Sequence, residues 1–176
     1  ASSSCDLSDG YPASLSAYVA EATTCIADNG DLRGDLADAV FDKINQERDA
    51  TEIAPLTRNA SLDQAAAAHA LDMMNRRYAN HFDMEGRDHV FRVRAFNRSQ
   101  LIGAVGANVL VAKPGASADD IFAKLKADDL NADNPVRDGF TDIGMAVAAS
   151  DGQPFLVQHY AAFDGESKPN VHRKVH

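Results

Sequence analysis

One short stretch of the chain holds many of the side chains that could bind a metal ion. Between His81 and His89, five of nine residues are potential ligands, namely His81, Asp83, Glu85, Asp88 and His89. Zinc takes three or four imidazole, thiolate or carboxylate ligands that converge on one point. The stretch is therefore a candidate metal site. The alternative is a polar loop whose acids pair with nearby arginines, here Arg87, Arg92 and Arg94.

Arginine is concentrated in the same region. Six arginines lie within 23 residues of a chain whose net charge is −9. They are Arg76, Arg77, Arg87, Arg92, Arg94 and Arg98. A guanidinium group forms paired hydrogen bonds with carboxylates and phosphates, so the cluster predicts a docking surface for an acidic protein partner or a lipid head group. A solvated surface that balances nearby acids is the alternative.

Nucleophilic catalysis and phosphate binding lack their usual sequence patterns. Neither G-x-S-x-G nor G-x-x-x-x-G-K-[ST] occurs. His69 lies on the apolar side of an alanine-rich segment, and we expect a histidine at the edge of the core that is hydrogen-bonded to the backbone. His159 lies in an apolar strand, and the pattern leaves open whether it faces the buried side of the sheet or a groove.

Both cysteines, Cys5 and Cys25, lie near the start of the chain and flank a short polar segment. This pattern predicts one disulfide, with two unrelated buried thiols as the alternative. The chain opens Ala1-Ser2-Ser3-Ser4 without a methionine, which fits a mature protein whose signal peptide has been removed. These features favour an extracytoplasmic location, either periplasmic or secreted.

Composition limits the partners. The 176 residues are 45% hydrophobic and 24% charged, as in ordinary globular proteins. The excess of 26 acidic over 17 basic residues argues against nucleic acid or an anionic lipid surface as the main partner. No apolar stretch approaches the roughly 20 residues of a membrane span, so we expect no transmembrane segment.

Hydrophobic periodicity predicts where the elements lie that must position these residues. Apolar residues at helical spacing predict helices over 14–26, 35–49 and 61–78, with a further helix starting at Ser117–Asp120. The expected capping groups are Asp35 and a capping box of Ser61 with Gln64. Strands are predicted over 108–112, 140–149 and 155–163, the last two forming a hairpin, and residues 79–105 are irregular. Helices first and paired strands last indicate an α+β fold.

Five strings in this order resemble the CAP superfamily (cysteine-rich secretory, antigen 5 and pathogenesis-related 1 proteins), in its bacterial secreted branch. The strings are Ile44-Asn45-Gln46-Glu47-Arg48, Pro55-Leu56-Thr57, Ala68–Met73 with Asn80-His81, Phe140–Val147 and Val157–Tyr160. The resemblance covers residues 36–163 and implies a three-layer α-β-α sandwich. We therefore expect three parts: an N-terminal extension over 1–34, a CAP-like domain over 35–163 and a polar tail over 164–176.

The resemblance also implies a pocket of two histidines and two glutamates, and this chain departs from it. His81 keeps the first histidine. The family's G-E-N string is Gly106-Ala107-Asn108 here, so Ala107 replaces a glutamate, and Asn131 stands where the second histidine is expected. Asp128 or Asp129 could replace the other acid. The resemblance thus implies a degenerate pocket with no metal and no cofactor.

These observations lead us to expect a non-catalytic, extracytoplasmic binding or accessory module that works by surface docking. It could be an auxiliary subunit on a larger extracytoplasmic or membrane-associated assembly. A peptidase-like hydrolase that uses His81 with a carboxylate is the alternative from another class. A small-lipid or sterol binder is a further alternative that the resemblance implies.

Overall fold

A computed structural model describes Leu7 and residues 15–27 and 30–163 of the chain. Five α-helices, four β-strands and one 3-10 turn follow one another in these ranges. They are α1 (Leu15–Ala27), α2 (Gly34–Ala50), β1 (Thr57–Arg58), α3 (Ala60–Arg76), α4 (His89–Phe96), β2 (Ile102–Val111), α5 (Ala118–Ala127), the turn Asn134–Val136, β3 (Asp142–Ser150) and β4 (Gln153–Phe163). None of the helices in the described ranges is long and apolar enough to cross a membrane.

The four strands form one mixed sheet in the order β1-β3-β4-β2. β4 lies in the middle and pairs antiparallel with β3 and β2, whereas β1 adds a short parallel pairing to β3. The β3–β4 hairpin confirms the prediction. Its turn residues Asp151 and Gly152 both have positive φ, which is the conformation that a tight two-residue hairpin turn requires.

Helices cover both faces of the sheet, which confirms an α+β sandwich of three layers. On one face, Ile143, Met145 and Val147 of β3 pack with side chains of α2 and α5 in the main core. On the other face, Ala146 and Ala148 pack with α3. Successive residues of a strand point to opposite faces, so the almost continuous apolar run of β3 supplies both cores.

The contact between α3 and the sheet is unusually close because its residues are small. A Cβ atom at Gly144 would lie 2.0 Å from the backbone carbon of Leu62 on α3. The alanine run of α3 is buried from Ala65 to Ala68. Small side chains on both surfaces let the helix backbone approach β3, and this contact fixes the height of α3 above the sheet.

Several element boundaries differ from the prediction. α2 begins at Gly34 without a side-chain cap, so Asp35 is inside the first turn. α3 is capped by Asn59, whose side chain accepts hydrogen bonds from Ser61 and Leu62 N–H, so the predicted capping box at Ser61 is wrong. The helix start predicted at Ser117 is confirmed, with a capping box to Asp120. The region predicted to be irregular contains α4 and the first half of β2.

Arg48 on α2 anchors the segment that follows α5. Its side chain is fully buried, and it donates hydrogen bonds to the carbonyls of Ala54 (2.7 Å), Pro135 (3.0 Å) and Arg137 (3.1 Å). The latter two carbonyls lie in and after the 3-10 turn. Arg48 thus holds the loop that carries Asn131 and Asn134 against the domain.

Candidate functional site

His81 lies between α3 and α4, and a buried arginine holds it in place. Arg92 on α4 has no exposed surface. One of its terminal nitrogens donates to the His81 carbonyl oxygen at 2.9 Å, and the other donates to the Arg87 carbonyl oxygen at 3.2 Å. The His89 ring stands edge-on to the His81 ring with 5.8 Å between centroids. α4, which the hydrophobic pattern did not reveal, therefore brings a permanent cation next to two imidazoles.

The electrostatics of this site favour neutral imidazoles. Burial lowers the pKa of both His81 and His89 below the usual value, and the charge of Arg92 lowers each further. His159 is fully buried, and its pKa lies well below the usual value because of burial and, next, the Arg92 charge. A guanidinium that disfavours protonation of three imidazoles also disfavours a divalent cation among them.

The fold places His69 and His159 in the core. His69 is 1% exposed, and its Nε2 lies 2.6 Å from the Asn80 carbonyl oxygen, which confirms the prediction of a backbone-bonded histidine. His159 pairs across the strands with Gly144 and Ala107. It therefore shares the face of the sheet that α3 covers, and it is a core residue and does not line a groove.

On the opposite face of the sheet, amide side chains form a closed network. Asn108 donates from Nδ2 to the Asn131 carbonyl and to Gln158 Oε1, both at 3.0 Å. Asn134 donates to Asn108 Oδ1 at 2.8 Å, and Tyr160 donates to Gln158 Oε1 at 2.8 Å. The sequence did not reveal Asn134, Gln158 and Tyr160 as members of this network. Gln158, a polar residue within an apolar strand, was a usable signal.

The residues that correspond to the family's pocket are therefore divided. Asn131 donates to Asp128 Oδ2 at 2.8 Å, so Asn108, Asp128 and Asn131 lie together. Ala107 points to the other face, as its pairing with His159 shows. Among the described residues, no hydrogen bond or ion pair joins His81 to the amide network. The structure brings together three of the five predicted pocket residues.

Two of the three acids in the His81–His89 stretch pair with arginines, and the third, Asp88, caps α4 by accepting a hydrogen bond from Phe91 N–H. Arg87 Nε donates to Asp83 at 2.6 Å, and Arg76 forms hydrogen bonds with Glu85 that lower the pKa of that carboxyl. The described ranges contain no group of three or more histidines, cysteines and carboxylates arranged for a metal ion. With Arg92 against His81, and with Ala107 and Asn131 at the positions where the resemblance implies ligands, these residues do not fit the zinc ion that the family pocket implies.

The six arginines do not share one exposed surface, which corrects part of the prediction. Arg87 is 3% exposed and Arg92 is 0% exposed, so neither can contact a docked partner. Arg76 is largely covered and ion-paired with Asp72 and Glu85. The three that remain exposed are Arg77, Arg94 and Arg98. Of the six predicted arginines, these three remain available to a docked partner.

Cys25 is buried on α1, where it packs in a small core with Tyr18 and Ala22. Cys5 lies outside the described residues, so the disulfide stays a prediction. The ring of Tyr18 stacks under the Arg87 guanidinium, whose carbon lies 4.8 Å from the ring centroid. α1 therefore packs directly on the segment that carries the site.

A separate apolar cavity of about 220 Å³ opens beside the edge of β3. Aliphatic side chains line it, among them Ile26, Leu32, Met145 and Val147, and Arg58 and Asp63 stand at its rim. Ligand pockets in proteins usually measure about 300–1,000 Å³. The cavity is below that range, and it gives little support to a binder of a sterol or of another large lipid.

Comparison with protein-family models gives one match, the cysteine-rich secretory protein family, over residues 41–160. No curated protein matches the chain. Among solved structures, an outer surface protein of Borrelia burgdorferi is similar, with a TM-score of 0.63 and 13% identity over 74% of this chain and 94% of that one.

Two longer bacterial proteins also share the fold. An extracellular protein of Bacillus anthracis with an SCP domain has a TM-score of 0.56 and 19% identity over 69% of this chain. A cysteine-rich secretory protein of Staphylococcus aureus has a TM-score of 0.53 and 7% identity over 76% of this chain. The chain spans 38% and 40% of their respective lengths. At these identities the likeness establishes the fold.

Proposed function

The chain belongs to the cysteine-rich secretory protein family, and from this premise we propose that it is a non-catalytic binding or accessory module that acts outside the cytoplasm. One observation carries the proposal. The histidine retained from the family pocket, His81, has the buried Arg92 guanidinium at its carbonyl and no carboxylate among its described hydrogen-bond partners.

This arrangement is unsuited to hydrolysis. A histidine that acts as a general base is normally oriented by a carboxylate, which also stabilises the imidazolium that forms. Burial lowers the pKa of the His81 imidazole below the usual value, and the positive charge of Arg92 lowers it further. Proton uptake by His81 would place two positive charges side by side in a poorly solvated site.

Two features support an extracytoplasmic location. The sequence pairs two cysteines in a short N-terminal segment, and one of them is buried on α1. The similar structures include an outer surface protein and an extracellular protein.

The family match starts at residue 41, so α1 is an addition that precedes it. We infer that residues 1–34 form an extension, secured by the predicted Cys5–Cys25 bond, to the domain over 35–163.

Two measurements on one pair of variants test the proposal. Turnover of fluorescein-labelled casein and of p-nitrophenyl butyrate is compared for the native chain, for His81→Ala and for His89→Ala as the matched control. We expect no turnover that depends on His81. Turnover that is lost in His81→Ala but kept in His89→Ala would contradict a non-catalytic role.

Native mass spectrometry of the endogenous protein tests the accessory role. We expect recovery of the chain in a complex with a second protein, and the same recovery for His81→Ala. Recovery of the chain solely as an isolated monomer would contradict the accessory role.

A further inference from the structure

One edge of the sheet is open in the described part of the molecule. β2 is the last strand in the sheet order and pairs with β4 alone. It has ten residues, which is long for an edge strand. An unpaired edge presents a row of N–H and C=O groups that can pair with another chain, and proteins usually protect such edges.

The second half of this edge is protected by side chains. The carbonyls of three alternate residues accept hydrogen bonds: Ala107 from Asn134 at 3.1 Å, Val109 from Asn131 at 3.2 Å and Val111 from Lys124 at 2.6 Å. Ala112, the next even-numbered residue, donates instead to Pro154 on the β4 side. From Ala104 onward, where the register with β4 is regular, the odd-numbered residues of β2 therefore direct their backbone groups outward.

The first half of the edge has no side chain of the described residues hydrogen-bonded to its backbone, and its pairing with β4 is regular from Ala104 onward, after a shift in register between Ile102 and Ala104. Val105 belongs to the same outward set, and among the described side chains none forms a hydrogen bond with its backbone. Residues 102–106 are all partly exposed. A shallow groove runs beside them, between β2 and the α4 residues Val90 and Arg94.

This groove continues into a cleft of about 410 Å³ that carries positive charge. Arg94 and Ile102 line both, and the cleft adds Arg98, Gln100 and Leu15. Arg94 and Arg98 are exposed, and neither takes part in an ion pair with a described residue. Arg98 donates one hydrogen bond, to Ser16 Oγ at 2.7 Å.

The segment that forms α4 and β2 contains no acidic residue. The chain has 26 acidic residues, yet residues 89–118, which include all of α4 and β2, contain none. The other arginines and lysines of the described ion pairs all face a nearby carboxylate. Arg94 and Arg98 therefore give this otherwise acidic chain a local positive site that attracts a negative partner.

We propose that an extended acidic segment of a partner protein docks here, adding a strand to the Ile102–Gly106 edge of β2 and placing carboxylates against Arg94 and Arg98. Strand addition supplies main-chain hydrogen bonds, and alternate side chains supply selectivity. The charge of the docked segment determines which partner binds, because a basic or neutral strand would pair with the same edge but would lack the contacts with Arg94 and Arg98. The inference rests on the proposed binding role and names the surface and the partner for it.

The probe is a fluorescein-labelled peptide of four alternating Glu-Val pairs, added to the full chain, with the Lys-Val peptide as its counterpart. We expect the acidic peptide alone to bind. Arg94→Glu with Arg98→Glu weakens its binding about tenfold or more. Val105→Pro, which removes an outward N–H to which no described side chain is bonded, weakens it about tenfold. Lys113→Glu, in the same acid-free stretch but outside the groove, leaves it unchanged.

Other outcomes overturn the inference. Equal binding of both peptides, or binding of neither, contradicts the proposal that an acidic strand docks here. Loss of binding in the arginine variant with full binding in Val105→Pro means that the site attracts anions without strand addition. A dimer in sedimentation velocity that Val105→Pro abolishes assigns the edge to a second copy of the chain. None of these results bears on turnover by His81, so failure here and failure of the proposed function are distinguishable.

Discussion

Acidification should destabilise this protein through its buried histidines. His69 is 1% exposed and His159 is 0% exposed. Burial lowers the pKa of each well below the usual value of 6.5, and the charge of Arg92 lowers both further. In the unfolded chain both return to the ordinary value. The unfolded state therefore binds more protons below pH 6.5, and stability present above that pH is lost as the pH falls.

The magnitude follows from linkage. A histidine that stays neutral in the fold and titrates at about 6.5 when unfolded contributes a loss of about 1.4 kcal/mol between pH 7.5 and pH 5.5. Two such residues give a loss of about 2.7 kcal/mol in the free energy of unfolding. His81 and His89 are only partly buried and add less. Urea denaturation followed by circular dichroism at several pH values measures this loss.

A variant separates the histidines from other titrating groups. His159→Gln keeps a polar side chain that does not titrate, and it should halve the loss over the same pH range. His69→Gln should do the same if His159→Gln fails to fold, and His89→Gln should change the loss less. A free energy of unfolding that stays constant from pH 7.5 to pH 5.5 would refute the reasoning, as would an undiminished loss in both buried-histidine variants.

Three further predictions concern stability and covalent structure. Gly144→Ala should lower the free energy of unfolding by about 3 kcal/mol or more, because its Cβ would overlap the Leu62 backbone. Gly139→Ala, whose Cβ meets nothing within 4 Å, should leave the melting temperature unchanged. Equal melting temperatures for the two variants would contradict the packing argument. Arg48→Met should lower the free energy of unfolding by about 3 kcal/mol, because it leaves buried carbonyls without donors. Lys126→Met, at a half-exposed ion pair, should remain close to native stability. Native stability of Arg48→Met would show that water replaces the guanidinium. Thiol counting on the denatured, unreduced chain should find no free thiol, because we predict a Cys5–Cys25 bond, and two free thiols would disprove that bond.

The sequence predicted the elements whose signal is local. The β3–β4 hairpin follows from two apolar runs separated by Asp151 and Gly152, and the start of α5 follows from Ser117 and Asp120. α4 was missed because Arg92, a charged residue, takes a position in it that helical periodicity reserves for an apolar side chain. The burial of Arg92 depends on hydrogen bonds to the carbonyls of Arg87 and His81, which are in place only when the loop is folded.

The candidate site was predictable in its residue types and not in its arrangement. The resemblance alone led us to predict Ala107 and Asn131 at two of the family's ligand positions. The Asn108–Gln158 hydrogen bond joins residues 50 apart in the chain, and such a pairing needs the register of β2 and β4. The arginine cluster was visible as well, but burial of Arg87 and Arg92 depends on α1 and α4 packing together, which composition cannot show.

The central claim is that this chain does not work through a metal in the family pocket, and zinc stoichiometry tests it most directly. The full chain is prepared without chelators, supplied with equimolar zinc, desalted and measured by native mass spectrometry beside His81→Ala. We predict no zinc that depends on His81, because Arg92 opposes a cation beside His81 and because Ala107 and Asn131 replace two ligands. One zinc per native chain, absent from His81→Ala, would contradict the account.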